Sequence, residues 1–241
     1  MLEPERYKRQ ILIEGWGQET QDKLQSKTVF IAGAGGLGCP VALNLTTAGI
    51  GNLRICDTDV VDISNLNRQF LHPEKNIGVE KTASATQYLS SLNSAVNFTP
   101  LTELITENNV ADLVADADVI LDCLDNFEAR YALNKCAIEK GIPLIHGAVW
   151  GMEGRVTVFN PPGGPCLSCI FPVASSTQET IPVLGAVTCA TGSMQAMEAI
   201  ACLRGFRPSL QGKMLVMDYS AMHFQTLEIS RNAECEICSH L

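Results

Sequence analysis

The sequence is short of positive charge. Its 241 residues carry 17 Lys and Arg against 26 Asp and Glu, a net charge of -9. Such a surface repels a phosphate backbone unless its cations gather in one cleft, so nucleic acid is not expected as the main partner. The first ten residues, Met1-Leu-Glu-Pro-Glu-Arg-Tyr-Lys-Arg-Gln10, contain no apolar run, which predicts no secretory signal and makes the cytoplasm the expected location. Proline is scarce, at 11 residues, and charged residues make up 18% beside 46% hydrophobic, which excludes a disordered or collagen-like chain. No charged residue occurs from 28 to 53, yet Gly33, Gly35, Gly36, Gly38, Pro40, Asn44 and Asn52 interrupt that segment. A membrane span, and with it a membrane partner, is therefore not expected.

What the chain does have is alternation. Lys27-Thr-Val-Phe-Ile-Ala-Gly33 is an apolar, β-prone run ending in glycine, and residues 37–48 have helical composition. Further strands are expected at 52–57, 118–123 and 142–147, with a helix over 128–140 between the last two. Strands alternating with helices imply a doubly wound α/β unit with a mostly parallel sheet that binds ligands at the carboxyl ends of its strands. After Gly151 the pattern changes. A strand at 154–159, a long connector, a helix over 190–204 and strands at 213–219 and 224–229 follow, a C-terminal, mainly antiparallel extension of the same domain.

Gly33-Ala-Gly-Gly-Leu-Gly38 fits G-x-G-x-x-G between a strand and a helix, where backbone can approach a phosphate. Asp57, 19 residues beyond Gly38 at the end of the second strand, is placed to bind a ribose hydroxyl. The next segment, Asp57 to Phe70, stays polar where a dehydrogenase would enter its next helix. Arg68 and Lys81 supply cations near the same strand ends, and Asp125 supplies an acid. Cations for a triphosphate and a carboxylate for Mg²⁺ are the parts of nucleotidyl transfer, in which catalysis is positioning and charge stabilisation. The alternatives for these residues are a solvated charged face for Arg68 and Lys81 and a helix N-cap for Asp125. An NAD-dependent oxidoreductase or a nucleotide-binding scaffold without activity would account for the glycines and Asp57 alone.

Taken together, Arg6-Tyr-Lys-Arg-Gln10, the glycine loop, Ser64-Asn-Leu-Asn-Arg-Gln69, Asp122-Cys-Leu-Asp-Asn126, Met152-Glu-Gly-Arg-Val-Thr-Val-Phe159, two C-x-x-C pairs and Gly192-Ser-Met-Gln-Ala-Met-Glu-Ala199 resemble the MoeB, ThiF and HesA group, bacterial relatives of ubiquitin-activating enzymes. The resemblance covers almost the whole chain. It implies a Rossmann-like fold and a single adenylation domain over 1–241. Residues 1–150 would bind nucleotide, and 151–241 would bind a carrier protein, with a connector at about 171–188. It implies adenylation, with ATP and Mg²⁺, of the C-terminal glycine of a ubiquitin-like sulfur carrier ending in Gly-Gly, as in molybdopterin or thiamine biosynthesis. A peptide or a tRNA-linked carboxylate is the nearest other substrate.

Position by position, the resemblance implies that Gly36 touches the nucleotide, Asp57 and Asp59 hold the ribose, and Asn65, Arg68 and Lys81 meet the phosphates. Ser64 and Asn67 belong to the same nucleotide-binding motif, and Asp125 organises Mg²⁺ beside Asn126. It also implies a homodimer in which Arg9 reaches the neighbour's ATP.

Cys166-x-x-Cys169 and Cys235-x-x-Cys238 supply four thiols, the ligand set of a closed tetrahedral Zn²⁺ site that would tie the connector's start to the C-terminus. The reactive Cys that some family members carry in the connector aligns with Gln178, and 171–188 contains no Cys. This departure speaks against a covalent carrier step. Cys189, at the start of the following helix, is the nearest thiol, and packing is its expected role. Cys39, Cys56, Cys123, Cys136 and Cys202 read as core, as do Met194, Met197 and Ile200 at helical spacing. His72 and His146 read as hydrogen-bonded structural residues.

Overall fold

The computed structural model describes residues 3–160, 164–172 and 181–240. Its helices are α1 (Glu3–Arg6), α2 (Lys8–Ile11), α3 (Gly17–Gln25), α4 (Gly38–Ala48), α5 (Lys81–Leu92), α6 (Val110–Val114), α7 (Phe127–Lys140), α8 (Leu167–Ile170) and α9 (Gly185–Arg204). Its strands are β1 (Thr28–Ala32), β2 (Asn52–Cys56), β3 (Asn97–Leu101), β4 (Val119–Asp122), β5 (Leu144–Trp150), β6 (Glu153–Phe159), β7 (Lys213–Asp218) and β8 (His223–Glu228).

They form one eight-stranded sheet in the order β3-β2-β1-β4-β5-β6-β7-β8. The first five strands are mutually parallel, and β5 through β8 pair antiparallel. A parallel sheet covered on both faces needs strands with no polar side. Val29, Phe30, Ile31, Val119, Ile120 and Leu121 meet that need and are fully buried. The chain leaves β1 towards β2 on one side and later returns to β4 on the other. The carboxyl ends of β1 and β4 therefore flank a topological switch point, where ligands bind in such sheets.

The extension continues the same sheet. Gly151, with φ +59°, opens the two-residue turn between β5 and β6, a position that favours glycine. Helix α9 lies over β5 and β6, and glycines let it come close. A Cβ on Gly154 would meet Thr191 Oγ1 at 2.3 Å, and one on Gly192 would meet Pro40 of α4 at 2.5 Å.

The sequence missed α5 and β3. Helix α5 is rich in Ser, Thr and Ala, with a faint apolar stripe. Strand β3 contains Pro100 and is largely exposed at the sheet's edge, a position that tolerates proline. Helix α9 begins at Gly185 rather than near 190, so Cys189 lies in its second turn, half-buried and beyond the reach of the helix dipole's first turn. Met197 is 56% exposed, which corrects its assignment to the core. The buried face of α9 runs instead through Val187, Thr191, Gln195, Ala199 and Leu203, four residues apart. Gln178 lies outside the described residues.

Candidate active site

Gly33 follows β1 with φ +97°, and a Cβ there would lie 2.8 Å from Cys123 O, across the switch point. A Cβ on Gly38 would overlap Gly33 O at 1.9 Å. Both glycines are thus required by the loop's own closure. Gly35 and Gly36 present bare backbone at the amino end of α4, an arrangement that accepts phosphate. Gln69 packs beside Gly35, and its Oε1 is buried without a hydrogen-bond partner among the described residues.

Two side chains brace this loop. Asp57 Oδ2 accepts from Ala34 N at 2.7 Å, and its Oδ1 accepts from Asp59 N at 2.8 Å. His72 is buried, and its Nε2 donates to Ala34 O at 2.9 Å while Nδ1 faces Ser84 Oγ at 3.1 Å. Burial, together with the nearby Lys81 charge, holds the His72 pKa below its ordinary value. The neutral ring that results fits one nitrogen donating and the other accepting.

Between β2 and α5 the chain makes two short 3-10 turns. Asp62 caps the first, accepting from Ser64 N at 2.8 Å, while Asn65 Oδ1 accepts from Asp62 N at 3.1 Å. These hydrogen bonds to Ser64 hold the Asp62 carboxyl below its ordinary pKa. The capping box orders Ser64 to Gln69. Arg68 Nη1 donates to Ser64 O at 2.8 Å and Asn67 Oδ1 at 3.0 Å, leaving its other N–H donors without a partner among the described residues. Lys81, the first residue of α5, is buried, and its Nζ lies 2.7 Å from Asp59 Oδ2.

The first turn of α9 closes over the same surface. A Cβ on Gly185 would lie 2.4 Å from Asn67 O, and one on Gly36 would meet Thr188 at 3.1 Å. Gly185 and Thr188 thus join Arg68 to the glycine loop, a contact the sequence did not signal.

Asp125 follows β4. It is exposed, and it makes no hydrogen bond or ion pair among the described residues. The N-cap alternative fails for it: Asn126 caps α7 through Ala129 N at 3.0 Å.

The structure therefore gathers Gly33 to Gly38, Asp57, Asp59, Ser64 to Arg68, Lys81, Asp125 and Asn126 at the carboxyl edge of the sheet. It does not bring Arg9 there. Tyr7 packs on Gly49 and Gln10 Nε2 donates to Ala48 O at 2.8 Å, so Arg9 is held near the far end of α4. That helix has 11 residues, which separates its ends by about 16 Å. Arg9 is exposed and unpaired among the described residues.

The four paired cysteines converge. Cys166 Sγ lies 3.8 Å from Cys169 Sγ and 3.7 Å from Cys235 Sγ, and Cys169 Sγ lies 3.5 Å from Cys238 Sγ. A disulfide needs about 2.05 Å. A tetrahedron with Zn–S bonds of about 2.3 Å has edges near 3.8 Å, so the donor set fits zinc. Asn134 Oδ1 accepts from Leu167 N at 2.9 Å and ties this knuckle to α7. Elsewhere burial pushes the Cys39 thiol up to about 12 and Cys56 up to about 11, so both are inert packing groups at neutral pH.

A glycine cradle, a carboxylate after β2, two cations and a free acid after β4 define an α/β nucleotide-binding enzyme. The sequence matches the ThiF family over residues 7–237. It is 38% identical over 241 residues to the molybdopterin-synthase adenylyltransferase of Escherichia coli, covering 97% of this chain and 95% of that one. Identity is also 38% over 240 residues with the SAMP-activating enzyme E1 of Haloferax volcanii, covering 97% and 88%. The adenylyltransferase and sulfurtransferase MOCS3 of Aedes aegypti is again 38% identical, but the chain spans only 55% of its length. The chain belongs to the ThiF family, and it is an adenylyltransferase. The E. coli MccB structure with ATP shares the fold, with a TM-score of 0.86 over 97% of this chain and 74% of that one, at 23% identity.

Proposed function

We propose that the protein uses ATP and Mg²⁺ to adenylate the C-terminal glycine of a ubiquitin-like sulfur carrier ending in Gly-Gly. A carboxylate oxygen of the carrier bonds to the α-phosphorus while the bond from that phosphorus to the bridging oxygen breaks, and the electron pair leaves with pyrophosphate. No base is needed, because the carboxylate is already ionised near neutral pH. The obstacle is repulsion between two anions, and it falls when fixed cations surround the reacting phosphate.

In this reading Gly33, Gly35, Gly36 and Gly38 cradle the phosphates, and Asp57 with Asp59 takes the ribose. Ser64, Asn65, Asn67, Arg68 and Lys81 bind the triphosphate. Asp125 beside Asn126 holds Mg²⁺, which supplies charge neutralisation of the phosphate oxygens. The Asn126 oxygen keeps a lone pair beyond its cap bond. Arg9, distant within its own chain, serves the site of a second copy in a homodimer. Zn²⁺ on Cys166, Cys169, Cys235 and Cys238 is structural, and the chain works in the cytoplasm. Residues 1–150 carry the nucleotide, and 151–241 receive the carrier.

One observation carries the reading. Among the described residues, the donors of Arg68 left unsatisfied and the unpaired carboxylate of Asp125 stand at the edge of a glycine cradle, and hydride transfer needs neither. Pyrophosphate exchange with purified carrier tests it. Exchange is expected with a Gly-Gly-terminated carrier and not with one lacking the terminal glycine, and Arg68→Ala is expected to lower it at least about 10²-fold. No exchange with any such carrier of the host, or exchange only with an unrelated peptide carboxylate, overturns the proposal.

A further inference from the structure

Behind the loop that carries Asp125 lies a buried charged group that the reading above leaves unused. Asp122, the last residue of β4, is completely buried. Its Oδ2 accepts from His146 Nδ1 at 2.6 Å and lies 3.4 Å from Arg130 Nε, an ion pair rather than a hydrogen bond. Burial pushes the Asp122 carboxyl up, but the Arg130 charge and the His146 hydrogen bond outweigh it and hold the pKa below the ordinary value.

The group acts on the two peptide units that flank Leu124. Leu124 N donates to Asp122 Oδ1 at 3.1 Å, and Leu124 O accepts from Arg130 Nη2, which also donates to Gly147 O at 3.3 Å. Leu124 immediately precedes Asp125, and Asn126 is fixed by its cap bond. Both neighbours of Asp125 are therefore immobilised while its own side chain has no partner among the described residues. A buried ion pair is a poor stabiliser compared with apolar packing. Its use here is geometric.

We propose that Arg130, through Asp122 and the backbone on both sides of Leu124, is a positioning residue that aims the Asp125 carboxylate at the divalent cation of the bound nucleotide. The proposal rests on the reading that Asp125 meets Mg²⁺. Partners of this kind behind a metal ligand typically change affinity about 10- to 100-fold when lost. Lysine would keep the buried charge, but one ammonium cannot reproduce the planar fork that reaches Asp122, Leu124 O and Gly147 O together.

The test is calorimetric titration of ATP into the full chain, with Mg²⁺ and with EDTA, for wild type, Arg130→Lys, Arg130→Gln and Asp125→Ala, each checked by thermal melt. Arg130→Lys and Arg130→Gln are expected to lose about 10-fold of the Mg²⁺-dependent tightening while binding ATP in EDTA as wild type does. If Arg130→Gln does not fold, Arg130→Lys carries the comparison. A wild-type ratio of the two affinities in Arg130→Lys, or equal weakening with and without Mg²⁺, overturns the positioning role. Asp125→Ala separates the two ideas, because a wild-type ratio there overturns the Asp125 reading itself.

Discussion

The two ends of the sheet are held by different physics. Around β1 and β4 the strands are apolar on both faces, and helices bury them completely. At the other end every residue of β8 is exposed. Beyond β8, among the described residues, only Cys235 and Cys238 are buried. A segment that fully buries only two thiols, with Ile229 and Ile237 partly covered, has little hydrophobic reason to stay in place. The parallel end folds on its core, whereas the C-terminal end needs its cysteines to be joined.

The sharpest break of this comparison removes a ligand. Cys235→Ser, or chelation of the bound metal, is expected to release residues 230–240 and lower Tm by about 10 °C, since a structural metal's binding energy is folding energy. Limited proteolysis would cut first after β8, and one zinc per chain would be released. A melt unchanged by chelation, with no metal in the purified protein, would mean that the tail is held some other way.

How much of this was legible beforehand differs between the same two ends. Strands β1 and β4 are largely continuous apolar runs and β2 alternates apolar with polar residues; each ends at a glycine or a polar turn, and their limits were readable to within a residue or two. Strand β3 was not, because an edge position lets it carry Pro100 and polar side chains. The glycine loop, Asp57, Arg68, Lys81 and Asp125 could be named because their residue types at their spacing leave few uses. Arg130 could not. A buried arginine on a helix looks like a surface one until the sheet places Asp122 beneath it. Arg9 shows the opposite limit, since its motif was readable while its separation from the other residues of the site was not.

A smaller effect sharpens the contrast at the parallel end, where single polar bonds trim a structure that already stands. Asn126→Ala removes the cap of α7 and is expected to cost about 1 kcal/mol, a shift of about 2–4 °C in Tm. Asn126→Ser restores the cap, so it should recover stability even where it alters Mg²⁺ dependence. If serine recovers none of the lost stability, the cap bond to Ala129 is not what the substitution removed.

The smallest effect is a response to acid. His72 and His146 are buried, and burial lowers the pKa of each below its ordinary value. Below about pH 6.5 the unfolded chain binds protons that the folded rings still refuse, so stability falls as pH drops from 7 towards 5. The lowered carboxyl of Asp122 acts in the same direction, but only below its ordinary range near 4. Glu198 opposes them, because burial raises its pKa and the folded chain takes its proton first. The histidine share is isolated by difference. His72→Gln keeps a donor for Ala34 O and cannot titrate, so its urea midpoint should fall less than wild type between pH 7 and 5. Parallel curves for the two proteins would mean that the His72 pKa is unshifted, and a wild type that falls less than the variant would mean that the ring is charged in the folded state. The brace on the glycine loop would then be a cation rather than a neutral ring.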